Sequence, residues 1–194
     1  MLCLIGGASR AGKSLLARRL LIEHGVPGLP LDAIMVAASR HSGFQVGYDD
    51  PLPQRAAALW PFTADAIFTT ALQMPNYAFE GDCLLPQHVA AFRRVYPQVP
   101  VRVVFLGYAQ TNLDQKLRDI RQHLSTNDWT SGLDDAALTR HILRQMEFSQ
   151  VLQAQCARWG LSYVEMEGEH TAAMDLASAH LMQGPAEGRA QAGV

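Results

Sequence analysis

Eight residues near the N-terminus combine glycine, lysine and a hydroxyl at a spacing suited to anionic oxygen. Gly7-Ala8-Ser9-Arg10-Ala11-Gly12-Lys13-Ser14 follows the pattern G-x-x-x-x-G-K-[ST]. Each residue type has a physical task. The glycines let the backbone curl until several N–H groups point inward. A helix opening at the end of the loop adds its positive dipole end. Lys13 brings a mobile point charge for the outer phosphates, and the Ser14 hydroxyl is placed to bind Mg²⁺. The expected phosphate-binding set is Gly7, Ala8, Ser9, Arg10, Ala11, Gly12, Lys13, Ser14 and Leu15.

Acidic and basic residues further along supply the rest of a phosphoryl-transfer chemistry. Asp32 follows a short apolar run and fits two uses. It can accept a proton from an attacking hydroxyl, or cap a helix, and both need the same place in the fold. Glu80 and Asp82 flank Gly81 at the end of another apolar run. One of them can hold Mg²⁺ or its water shell, and Glu80 is preferred over Asp82. Arg118 and Arg121 lie three apart and share one side of a helix. Arginines so placed can close over a transferring phosphoryl group, or simply pair with Asp114 and Asp119. Arg40 and Arg55 can read an anionic acceptor, whereas Arg93 and Arg94 read as surface residues. The seven histidines show no metal-ligand spacing, and Trp60, Trp129 and Trp159 read as packing residues.

Those residues need strands that end, and helices that begin, beside one another. Short apolar runs alternate with helical patterns, which predicts an α/β fold with a mainly parallel sheet. Strands are expected at Leu2–Ile5, Gly28–Leu31, Tyr77–Phe79, Val101–Leu106 and Leu161–Met166. The first helix runs from Lys13 to near Gly25, and a second starts within Ala33–Ala38. Residues His41–Pro53 form a loop rich in Gly, Asp and Pro. Gln54–Trp60 and Phe62–Gln73 are helical, broken or kinked at Pro61. Pro86 opens a helix reaching Tyr96, and Thr111 or Asn112 caps one reaching His123. Ser125–Gly132 is a polar loop, Leu133–Trp159 one long helix, and Thr171–Met182 the last. One domain spans 1–183, with a small polar, disordered tail at 184–194.

A chain of 194 residues suits one full core, and a net charge of −2 without charge blocks argues against nucleic-acid or membrane-surface binding. Three scattered cysteines, Cys3, Cys83 and Cys156, fit reduced thiols of a cytoplasmic protein. No signal peptide or membrane span is expected.

The motif, strand-end Asp32, Phe-Glu-Gly-Asp-Cys-Leu-Leu-Pro and Lys-Leu-Arg-Asp-Ile-Arg together resemble the small phosphate-loop kinases. The nearest resemblance is to bacterial proteins similar to 2-phosphoglycerate kinase, with a more distant one to nucleoside monophosphate kinases. It covers Met1 to about Met166. It implies a three-layer α/β/α fold, five parallel strands in order 2-3-1-4-5, a small lid, and ATP with Mg²⁺ as co-substrates. Carried over, Gly7, Gly12, Lys13 and Ser14 would bind phosphate and metal, Asp32 would be base or substrate anchor, and Arg118 and Arg121 would match lid arginines. Adenylate kinases carry Asp-Gly-Phe-Pro-Arg after the third strand, whereas this chain reads Glu80-Gly81-Asp82-Cys83-Leu84 without the arginine. The expected activity is therefore ATP-dependent phosphoryl transfer to a hydroxyl of a small metabolite, whether or not that metabolite already carries a phosphate. A nucleoside monophosphate kinase and a nucleotide-dependent switch are the alternatives. The protein is expected to be a monomer or homodimer.

Overall fold

A computed structural model describes residues 1–41, 47, 50–124, 129–166 and 170–183. The expected tail at 184–194, most of the loop after His41, and residues 125–128 of the expected polar loop lie outside these.

Five strands form one parallel sheet: β1 (Leu2–Gly7), β2 (Gly28–Pro30), β3 (Tyr77–Glu80), β4 (Val101–Gly107) and β5 (Ser162–Glu165). Their spatial order is β2-β3-β1-β4-β5, as the resemblance implies. The helices are α1 (Lys13–His24), α2 (Leu31–His41), α3 (Leu52–Gln73), α4 (Pro86–Val95), α5 (Leu113–Gln122), α6 (Asp135–Trp159) and α7 (His170–Gln183).

The sheet is apolar on both faces because strand side chains alternate. Leu2 and Leu4 of β1, with Val101, Val103 and Phe105 of β4, enter one core layer beside α2, α3 and α4. Cys3 and Ile5, with Val104 and Leu106, enter the other beside α1, α5 and α7. The long α6 serves both, placing Leu152 and Cys156 in the first layer and Leu138 and Ile142 in the second. The fold is thus three-layered α/β/α. All three cysteines are buried and reduced. No helix among the described residues is long and apolar enough to cross a membrane.

Three local expectations change. The helix around Pro61 is continuous: α3 carries Pro61 within it, and packing of Ala56, Leu59, Thr63 and Ile67 holds the two halves together despite one missing N–H. Strand β2 stops at Pro30, so Leu31 and Asp32 already belong to α2. The end of the Ser125–Gly132 segment is ordered, with a 3₁₀ turn at Trp129–Gly132. Gly25 and Gly160 end α1 and α6 in the left-handed conformation, and Asn112 caps α5 by accepting from the Gln115 N–H.

Candidate active site

Parallel strands bring their C-terminal ends to one edge. Register aligns Ile5 of β1 with Glu80 of β3, and Pro30 of β2 with the same Glu80. The loop from β1 to α1, the first turn of α2 and the turn after β3 therefore meet.

The loop depends on its glycines. Gly7 has φ 140° and Gly12 φ 92°, and a Cβ at Gly7 would sit 2.1 Å from the Leu106 carbonyl oxygen. Arg10 takes φ 64° without being glycine. Helix α1 starts with neither a side-chain cap nor an acid in its first turn, which leaves its orphan amide donors to an outside anion. The Lys13 ammonium donates to the Ala8 carbonyl at 2.8 Å, folded back over the loop it would leave for phosphate. Three further side chains hold the loop from outside the motif. The Tyr108 hydroxyl donates to the Ser9 carbonyl at 2.7 Å and the Lys116 ammonium to the Arg10 carbonyl at 3.0 Å. Gln145 of α6 accepts the Ser9 N–H at 2.9 Å.

Two carboxylates, Asp32 and Glu80, feel the charge of Lys13, and a third, Asp82, acts on both. The Ser14 hydroxyl donates to Glu80 Oε1 at 2.9 Å. Burial pushes the Glu80 carboxyl above its ordinary range; the Lys13 charge and the Ser14 hydrogen bond pull it down, and Asp32 and Asp82 push it up. Asp32 is raised as well, chiefly by desolvation and then by Asp82, against the pull of Lys13 and Arg55. Arg55 Nη2 lies 3.6 Å from Asp82 Oδ2, while Asp82 Oδ1 is buried with no hydrogen-bond partner. The Ser14–Glu80 pair is a hard-oxygen donor set of the kind Mg²⁺ takes when it arrives with phosphates and most of its waters. Among the described residues no group of three His, Cys, Asp or Glu could hold a metal ion.

Lys13, Ser14, Asp32 and Glu80 thus come together, with Asp82 and Arg55 beside them. Arg118 and Arg121 do not join them. Arg118 donates to Gln115, and Arg121 donates to the Leu133 carbonyl and to Asp135. The groove they line, about 410 Å³ between α5 and α6, includes no phosphate-loop residue. Sequence reasoning missed Lys116, Tyr108 and Gln145. Lys116 had a signal: it interrupts the apolar stripe Leu113, Leu117, Ile120 of an otherwise polar helix. Tyr108 and Gln145 had none.

No protein-family model matches this chain, and no curated protein matches it by sequence. Solved structures match its fold. A gluconokinase from Sinorhizobium meliloti 1021 superposes with TM-score 0.57 at 16% identity, over 92% of this chain and 90% of that one. A sugar kinase from Janibacter sp. HTCC2649 gives 0.56 at 13% identity, over 93% of each. Shikimate kinase from Bacteroides thetaiotaomicron gives 0.51 at 14%, over 91% of this chain and 96% of that one. The chain therefore has the phosphate-loop α/β/α fold that these small-molecule kinases share.

Proposed function

We propose that this protein is an ATP-dependent phosphotransferase that moves the γ-phosphate to a hydroxyl of a small metabolite, in the manner of the 2-phosphoglycerate kinase-like proteins it resembles. The observation that carries the reading is the meeting of Lys13, Ser14 and Glu80 with Asp32 at one sheet edge. A nucleotide-binding loop alone needs no Asp32. A carboxylate near Lys13, with its proton affinity raised, suits a group that must hold and accept a hydroxyl proton.

In this reading the loop amides and the α1 N-terminus bind the phosphate chain, and Lys13 turns from the Ala8 carbonyl to the outer phosphates. Ser14 and Glu80 would hold Mg²⁺, which when bound neutralises charge on the β- and γ-phosphates. Asp32 orients the acceptor hydroxyl, and Arg55, steadied by Asp82, borders the acceptor. Arg118 and Arg121 remain lid candidates that would have to exchange their present partners on closure. Positioning and fixed electrostatics supply the catalysis. The fold and the reduced cysteines suit a cytoplasmic enzyme.

The test is a screen of sugars, sugar acids, phosphorylated hydroxy acids and nucleoside monophosphates, coupled to ADP release. With the productive acceptor, Lys13→Ala should lower kcat/KM about 10³-fold, from about 4 kcal/mol for one charge at 4 Å from another in a partly screened site. Full phosphotransfer by Lys13→Ala would sink the proposal.

A further inference from the structure

Three successive carbonyls of the phosphate loop are each held by a side-chain donor: Ala8 by Lys13, Ser9 by Tyr108, Arg10 by Lys116. The first of these donors belongs to the motif. The other two come from the residue after β4 and from α5, and the motif gives no reason for them. Both are deeply buried, Tyr108 at 0% exposure and Lys116 at 2%. The Lys116 ammonium also lies 4.3 Å from the centre of the Tyr108 ring, so the two form one unit.

Resting on the reading of this loop as a nucleotide site, we propose that Lys116 and Tyr108 are positioning residues for nucleotide binding, a clamp that holds the phosphate loop from behind. In a trans peptide the C=O and N–H point in opposite directions. Fixing the Ser9 and Arg10 carbonyls therefore fixes the N–H directions of Arg10 and Ala11; the Ala11 N–H closes a turn onto the Ala8 carbonyl at 3.2 Å, so the pair also fixes the turn from which the Arg10 N–H projects. It also holds Arg10 in its left-handed conformation, which costs a non-glycine residue of order 1 kcal/mol or more. A loop held this way needs no ordering when phosphate arrives.

The lysine's charge matters as well as its hydrogen bond. Its bond goes to a carbonyl, in a place where an apolar side chain would be cheaper to bury. Burial lowers its pKa to about 8; Asp119 on α5 and Glu165 at the end of β5 favour the cation, and Arg10 opposes it. A cation there raises the potential under the loop at neutral pH and fades as pH rises through 8.

The experiment titrates wild type, Lys13→Ala, Lys116→Met and Tyr108→Phe, and the double variant of the last two, with Mg·ADP by calorimetry, and records each melting temperature. Lys116→Met and Tyr108→Phe should each weaken binding about five- to tenfold. The double variant should lose less than the product, because both hold one stretch of loop. Lys116→Met should melt within a few degrees of wild type, since relief from burying a cation offsets the loss of the donor to the Arg10 carbonyl. Its affinity ratio to wild type should shrink from pH 7 to pH 9, whatever other groups common to both proteins do. If both single variants bind within twofold of wild type while Lys13→Ala loses binding, the clamp is wrong. A loss that tracks a lower melting temperature, with a ratio constant in pH, would reduce the pair to core packing. Wild type and Lys13→Ala binding equally poorly would instead overturn the nucleotide reading itself, and the clamp with it.

Discussion

Glu80→Gln separates what Glu80 costs the fold from what it gives the site. Glu80 is 9% exposed and its strongest influence is desolvation, which opposes the ionised form. The substitution keeps size and leaves an oxygen to accept from Ser14. A hydrogen bond to a charged acceptor contributes about 1.5–3 kcal/mol and a neutral one about 0.5–1.5, so roughly 1 kcal/mol is lost there. Against this stands the effective cost of burying an ion, several kcal/mol before Lys13 offsets part of it. Because the Glu80 carboxyl is raised overall, the burial cost outweighs what Lys13 and Ser14 return, and the neutral side chain should raise the melting temperature at neutrality. The sign with pH follows from the direction of the shift. A carboxyl whose folded pKa is raised binds its proton more tightly in the folded chain. Wild-type stability from this group is therefore highest below the unfolded value near 4.5, falls as pH rises through the folded value, and stays low at neutrality. Melts in the absence of nucleotide should show Glu80→Gln level with wild type near pH 4 and above it at pH 7.5. The same variant should lose function. If Glu80 holds the metal as proposed, the ratio of ADP affinities with Mg²⁺ and with chelator should fall about tenfold, because an anionic ligand would be lost. A Gln variant that melts below wild type at pH 7.5, or that keeps the full Mg²⁺ dependence, would refute this account of Glu80.

Asp32→Asn keeps shape but cannot take a proton. With the productive acceptor, kcat should drop 10²–10⁴-fold while the KM for Mg·ATP stays within about threefold, and the acid limb of the wild-type pH–rate profile should disappear. Gly81→Ala tests how the site is supported. Its Cβ would lie 2.8 Å from the Leu31 Cβ, a buried atom with no rotamer to escape through, so the start of α2 must move and carry Asp32 with it. Expected are a stability loss of about 1–3 kcal/mol by denaturant melt and a fall in kcat of order 10²-fold with nucleotide affinity little changed. A wild-type kcat in Gly81→Ala would show that Asp32 does not need its present place.

The parts legible in the sequence are those where one local rule decides. β1 and β4 are unbroken apolar runs, and Gly25 and Gly160 stop α1 and α6 as left-handed caps do. The turn between β1 and α1 was legible because its glycines stand where the backbone takes positive φ, Gly7 at 140° and Gly12 at 92°. Contest between rules hid the rest. Pro61 breaks a helix by local chemistry, but core contacts on both sides of it outweigh one lost hydrogen bond. Leu31 looks like the last residue of a strand because it is apolar and buried, yet its burial comes from packing at the head of α2, next to Gly81.

The α5 helix shows why shared facing is not enough to find a site. Arg118 and Arg121 do lie on one side, as their spacing requires, and that reading was correct as geometry. Which side meets the phosphate loop depends on the buried stripe, here Lys116 and Ile120. At about 100° per residue, Arg118 and Arg121 stand roughly 140–200° around the helix from Lys116. The helix can present the arginines or the lysine to the loop, and its apolar residues choose the lysine. A cation inside an apolar stripe is costly to bury without a partner, so its presence in the sequence already demands an acceptor nearby. The strand-loop-helix motif offers one, because carbonyls turned out of the cradle must themselves be satisfied when buried. Both requirements are met by the one bond from Lys116 to the Arg10 carbonyl. The arginines keep their partners, Gln115 of α5 and Asp135 of α6, on the side of α5 turned away from the loop.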